Sequence, residues 1–134
     1  MTSKVTYLGN LRTSSVHIAS GSEIISDAPV DNNGKGEAFS PTDTVANGLA
    51  SCMLTVMGIK ALDMDVSLEG SVAEVTKTMQ ASPRMISAIK VVFNMKSNAD
   101  KKAQTILERI ALTCPVHLSL NPAIEKDVVF NWQQ

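Results

Sequence analysis

Aromatic residues are scarce, at 4% of the 134 residues. The core must therefore be assembled from Val, Ile, Leu, Ala and the seven Met. Charge of one sign is missing as well. Twelve basic and thirteen acidic residues leave a net charge of −1, without the basic excess of a dedicated nucleic-acid binder. The first residues, Met-Thr-Ser-Lys-Val-Thr-Tyr, lack the apolar stretch of a signal peptide. The longest uncharged run, Thr44 to Ile59, falls short of the roughly 20 residues that span a bilayer. A cytoplasmic protein that uses neither nucleic acid nor membrane is the expectation. With only seven Gly and five Pro, neither a fibrous nor a disordered chain fits. The length suits one domain, residues 1–134, large enough to bury a core without disulfides or a metal.

The familiar signatures of catalysis are absent too. There is no Walker loop, no GxGxxG after a strand, no HExxH and no GxSxG. Cys114-Pro-Val-His117 has ligand-like spacing, but structural zinc sites show tighter paired spacings. No metal and no cofactor are expected.

What is present alternates between strand and helix patterns. Residues 4–8, 15–19 and 23–26 predict strands, the last two joined by a turn at Ser20-Gly21-Ser22. A polar loop follows from Asp27 to Glu37, long enough to suggest function. Ser40-Pro41-Thr42-Asp43 then announces a helix, with a hydroxyl at the cap, Pro at the first position and an acid in the first turn. This helix, about 41–62, is apolar nearly all round. In so small a protein that hints at cover from a second chain. Residues 66–79 predict a long strand with Gly70 as a bulge, and 84–95 a second. A second helix follows at about 101–113, a short one from Pro115 and a closing strand at 127–132. The order β-β-β-α-β-β-α-β favours α+β with antiparallel sheet.

Two cysteines stand out. Cys52 lies in the third turn of the apolar helix, one turn after Gly48, whose missing side chain leaves room beside the sulfur. It is either a small buried hydrophobe or a reactive thiol. Cys114 stands where it can cap a helix beginning at Pro115, a position that lowers a thiol pKa through the free N–H groups. In a reducing compartment a lone pair of thiols points to redox use more than to a structural bridge. An activating cation would be one of three arginines, Arg12, Arg84 or Arg109. Arg12 sits at the turn Gly9-Asn10-Leu11-Arg12, and Glu37 could hold it by a carboxylate pair. Arg109 reads as a solvated charge on the second helix.

The run from Gly34 through Ser40-Pro-Thr-Asp43 to Ala50-Ser-Cys52-Met-Leu and on to Gly58 resembles the OsmC/Ohr family of bacterial thiol peroxidases. So do Ser82-Pro-Arg-Met-Ile86, Cys114-Pro115-Val116 and the closing Phe130-Asn-Trp132. The resemblance covers nearly the whole chain. It implies an OsmC-like α+β fold, with curved antiparallel sheets around two central helices in an intertwined homodimer. It implies that Cys52 is the peroxidatic cysteine, Cys114 the resolving one and Arg12 the activating arginine. The implied substrate is an organic hydroperoxide and the implied partner an external dithiol, a lipoylated protein in the Ohr branch. The sequence departs from the family at one motif. Ser40-Pro41-Thr42 stands where family peroxidases often carry Asn-Pro-Glu, so either Glu37 or Asp43 substitutes for that Glu or the Arg is held differently. A non-catalytic dimeric binding or scaffold protein is the alternative expectation.

Overall fold

The computed structural model describes residues 1–133. The chain divides into two compact units, Met1–Val45 and Ala46–Gln134. It is α+β, with two three-stranded sheets.

The first unit is a meander. Strands β1 (Ser3–Gly9), β2 (Arg12–His17) and β3 (Glu23–Asp27) pair antiparallel in that order. The β1–β2 turn runs through Gly9, Asn10 and Leu11, all with positive φ. β2 therefore starts at Arg12 rather than at 15, because the turn closes earlier than alternation alone suggests. The Ser20-Gly21-Ser22 turn forms as expected, closed by His17 N–H to the Ser22 carbonyl at 2.8 Å. After β3 the chain makes one 3-10 turn, Val30–Asn32, and folds back on Ala28. A Cβ on Gly34 would collide with the Ala28 backbone, so this return requires glycine. Many apolar side chains here, among them Val5, Tyr7, Leu8 and Ile24, are exposed.

Helix α1 (Pro41–Asp63) begins with a reciprocal cap. Ser40 Oγ accepts the Asp43 N–H at 3.1 Å, and Asp43 Oδ2 accepts the Ser40 N–H at 2.9 Å. This is a capping box with Asp in the place of the usual Glu. Within the second unit α1 buries a stripe of Ala46, Leu49, Ala50, Met53, Met57 and Ala61, the three- and four-residue spacing of a helix face. Ile59 and Leu62 remain exposed. By length and composition α1 could cross a bilayer, because the helix extends past the uncharged run at both ends. Its buried stripe is that of a core helix.

The second sheet has the order β4–β5–β6, from β4 (Val72–Gln80), β5 (Met85–Lys96) and β6 (Glu125–Gln133). β4 starts at Val72, not at 66. Gly70 adopts φ +89° in a turn, so the pattern from Val66 to Leu68 belongs to the connection. β5 is the central strand, and Ile89, Val91, Phe93 and Met95 are fully buried. Phe93 stacks on Phe130 of β6, with centroids 5.1 Å apart. The β5–β6 pairing is parallel, which corrects the all-antiparallel expectation. Helices α2 (Lys101–Ala111) and α3 (Pro115–Ser119) form the crossover that a parallel pair requires. Asp100 caps α2, its carboxylate accepting the Ala103 N–H at 2.8 Å. On α2, Ala103, Leu107 and Ala111 join the core formed with α1 and β5.

Candidate active site

The second unit brings the two cysteines together. Cys114 is 1% exposed and belongs to the core cluster, while Cys52 packs against that cluster, half-buried. The two thiols are near enough for the Cys52 sulfur to act on Cys114, and both are free. α1 places Cys52 one turn beyond Gly48. A Cβ at Gly48 would meet no side chain within 4 Å, so the space expected beside Cys52 is open.

The sequence marks the stop between α2 and α3 with Cys114-Pro115. Pro cannot donate an N–H and starts a helix well. Cys114 thus becomes the cap of α3, and its Sγ accepts the His117 N–H at 3.3 Å. The cap lowers the thiol pKa, as expected, but burial outweighs it. Desolvation pushes the Cys114 thiol up, and the neighbouring Cys52 sulfur adds to the rise. A buried thiolate that loses hydration gains too little from the cap N–H groups of Val116 and His117. The expected low pKa of Cys114 is corrected accordingly.

His117 is half-buried on α3. Its Nδ1 is fully buried and, among the described residues, has no hydrogen-bond partner. Burial, aided by the charge of Lys126, holds the ring below the usual histidine range. Among the described residues no cluster of three or more His, Cys, Asp and Glu could hold a metal ion.

The first unit carries a charged cluster. Arg12 Nη2 donates to Glu37 Oε2 at 2.7 Å and to Asp27 Oδ2 at 3.3 Å. The expected Arg12–Glu37 pair thus forms. Asp27 is the residue that pattern reading missed. It is 1% exposed, accepts the Glu37 N–H at 3.0 Å and thereby fixes the loop that carries Glu37. That bond, more than the Arg12 charge, holds the Asp27 carboxyl below its usual range. Register counting could have found it. The hairpin that pairs Val16 with Glu23 sets Arg12 opposite Asp27.

Pocket geometry alone would have pointed elsewhere. A cleft of about 760 Å³ is lined by Ser67, Glu69, Lys96, Asn98 and neighbours, and holds neither cysteine.

The OsmC-like protein family model matches residues 34–128. The chain belongs to this family. Among solved structures it is 54% identical to a candidate osmotic stress induced and detoxification response protein of Psychrobacter arcticus 273-4. That match has a TM-score of 0.94 over 98% of this chain and 96% of the other. An organic hydroperoxide resistance protein OsmC of Legionella pneumophila, also described as a predicted redox protein, shares the fold. Its TM-score is 0.75 at 15% identity, over 98% of this chain and 97% of that one. The organic hydroperoxide resistance protein OhrB of Bacillus subtilis gives 0.65 at 17% identity, over 98% of both chains. No curated protein matches the chain.

Proposed function

We propose that this OsmC-family protein is a thiol peroxidase that reduces organic hydroperoxides in oxidative stress defence. The observation that carries the proposal is the meeting of two free thiols at one apolar site, Cys52 half-buried and Cys114 buried. A purely structural pair of core thiols does not need open space beside one sulfur, and Gly48 leaves that space.

The deprotonated Cys52 sulfur attacks the outer peroxide oxygen. The O–O bond breaks, the alkoxide departs and takes a proton to become an alcohol, and Cys52 is left as a sulfenic acid. Cys114 then displaces hydroxide, which leaves as water, and the Cys52–Cys114 disulfide forms. An external dithiol returns both thiols by two exchange steps and is itself oxidised to a disulfide. We assign to Arg12, held by Glu37 and Asp27, the role of the cation that favours the Cys52 anion and orients the peroxide. In this proposal the apolar surroundings of Cys52 favour alkyl hydroperoxides over hydrogen peroxide. The working form in this proposal is a cytoplasmic homodimer, with a dithiol such as a lipoylated protein as reductant.

A dimeric binding or scaffold role is the second reading. It draws on Ser40-Pro41-Thr42, where the first residue of the motif serves as a helix cap. The experiment is peroxide consumption with a dithiol for wild type, Cys52→Ser, Cys114→Ser and Arg12→Ala. Catalysis abolished by Cys52→Ser and slowed about 100-fold or more by Arg12→Ala fits a positioned catalytic cation. Equal rates in all four proteins end the peroxidase reading and favour the scaffold.

A further inference from the structure

Between α2 and β6 lies a cleft of about 580 Å³, lined by Lys101, Gln104, Phe130, Asn131 and Trp132. That volume suits a small molecule. Neither cysteine borders it, and the peroxidase proposed above makes no use of it.

Its walls follow from two regular spacings. Lys101, Gln104 and Glu108 stand three and four residues apart on α2, so they form one stripe. Phe130 and Trp132 alternate on β6 and share one face of the sheet. Both rings are tied down. Phe130 stacks on the fully buried Phe93 at 5.1 Å. The Trp132 indole N–H donates to Glu108 Oε1 at 3.2 Å. Each ring is only half-buried, so apolar ring surface remains for a ligand.

Gln104 is the unusual member, buried to all but 7%. Its Nε2 donates to the Ala99 carbonyl at 3.0 Å. A carbonyl only accepts, so this bond fixes which end of the amide faces it. The other end, Oε1, accepts no hydrogen bond among the described residues. Unlike His117 Nδ1 it is not sealed off, and it opens on the cleft that Gln104 lines. A buried acceptor without a donor is uncommon and calls for an explanation. The Lys101 ammonium also has no partner among the described residues, and it stands at the positive end of α2. The neighbouring Asp100 carboxylate is engaged as the helix cap. Glu108 carries the opposite charge one turn beyond Gln104. The stripe thus runs from cation through acceptor to anion.

We propose that this cleft binds a small aromatic acid that carries a hydroxyl or a ring N–H. The ring lies against Phe130 and Trp132. The O–H or N–H donates to Gln104 Oε1. The carboxylate pairs with Lys101 and stays clear of Glu108. Donor and acid then sit about 5–6 Å apart, one helical turn. Such binding is independent of the peroxidase reading.

The test is titration of the full chain with 4-hydroxyphenylacetate. Trp132 is the single tryptophan, so its fluorescence reports on the cleft, and calorimetry measures the affinity. Saturable binding with a Kd of about 1 mM or tighter is expected. 4-Methoxyphenylacetate lacks the donor and 4-methylphenol lacks the acid. Each should bind about 10-fold more weakly. Lys101→Gln, at an exposed position, should weaken 4-hydroxyphenylacetate about 10-fold and leave 4-methylphenol unchanged. Gln104→Met should erase the preference for hydroxyl over methoxyl. Absence of saturable binding by the wild type overturns the proposal, and so does equal affinity for all three probes. Unaltered binding by Lys101→Gln overturns it too. Binding lost in Cys52→Ser does the same, because it puts the probe at the thiols. If Gln104→Met does not fold, the three probes on wild type and Lys101→Gln decide. None of these results bears on the peroxide assay above.

Discussion

Replacing Cys114 by Ser separates the chemistry of the sulfur from its structural duty. The substitution keeps an acceptor for the His117 N–H, now made at 3.3 Å to Sγ. Ser is among the best helix caps, worth about 0.5–2 kcal/mol over Ala. Against that, a hydroxyl in an apolar interior without full hydrogen bonding costs about 1–3 kcal/mol. At 1% exposure this penalty applies nearly in full, but the cap bond recovers much of it. The net change should lie near 1 kcal/mol of destabilisation, a melting shift of about 4 °C for a chain of this size. The chemical consequence is far larger. Wild type should lose two thiols per hydroperoxide and appear in the mass spectrum with two hydrogens removed. The Ser variant should lose one thiol, gain one oxygen and react with a sulfenic-acid probe. A wild type that loses a single thiol per peroxide, or a Ser variant that melts more than about 10 °C lower, refutes this account of the site.

Gly48→Ala should stabilise the protein by about 1 kcal/mol through helix propensity, since a Cβ there meets no side chain within 4 Å. It should also lower kcat/KM for bulky hydroperoxides more than for small ones, read by thermal melting and steady-state assays. Phe93→Ala removes a fully buried ring and its stack on Phe130, and should cost about 3–5 kcal/mol in chemical denaturation. Asp27 has a carboxyl pKa lowered by the Glu37 N–H and by Arg12. Its contribution is therefore present above the unfolded carboxylate value of about 3.9 and is lost as pH falls through the folded one. Asp27→Asn should flatten the loss of stability between pH 5 and about 2, and an unchanged acid transition would contradict it.

Local chemistry alone determined a good deal. Ser40-Pro41 starts α1 because a hydroxyl can satisfy a free N–H and Pro needs none. Cys114-Pro115 ends one helix and caps the next for the same reasons. The Ser20-Gly21-Ser22 turn sets the register of β2 on β3, and that register holds Arg12 across from Asp27. These features depend on neighbours within a few residues or across one tight turn, where backbone hydrogen bonding leaves few options.

Tertiary structure decided the rest. Nothing local makes β6 parallel to β5; the crossover through α2 and α3 does, by carrying the chain back along the same sheet. Nothing local excludes residues 66–68 from a strand, since Val66 and Leu68 alternate well; the turn at Gly70 excludes them. The ionisation of Cys114 was the plainest case. Its sequence position promised a lowered pKa, but solvent loss inside the core of α1, α2 and β5 reversed the sign. Charge stability depends on everything within several ångströms, and for Cys114 that includes the Cys52 sulfur, from a helix far away along the chain.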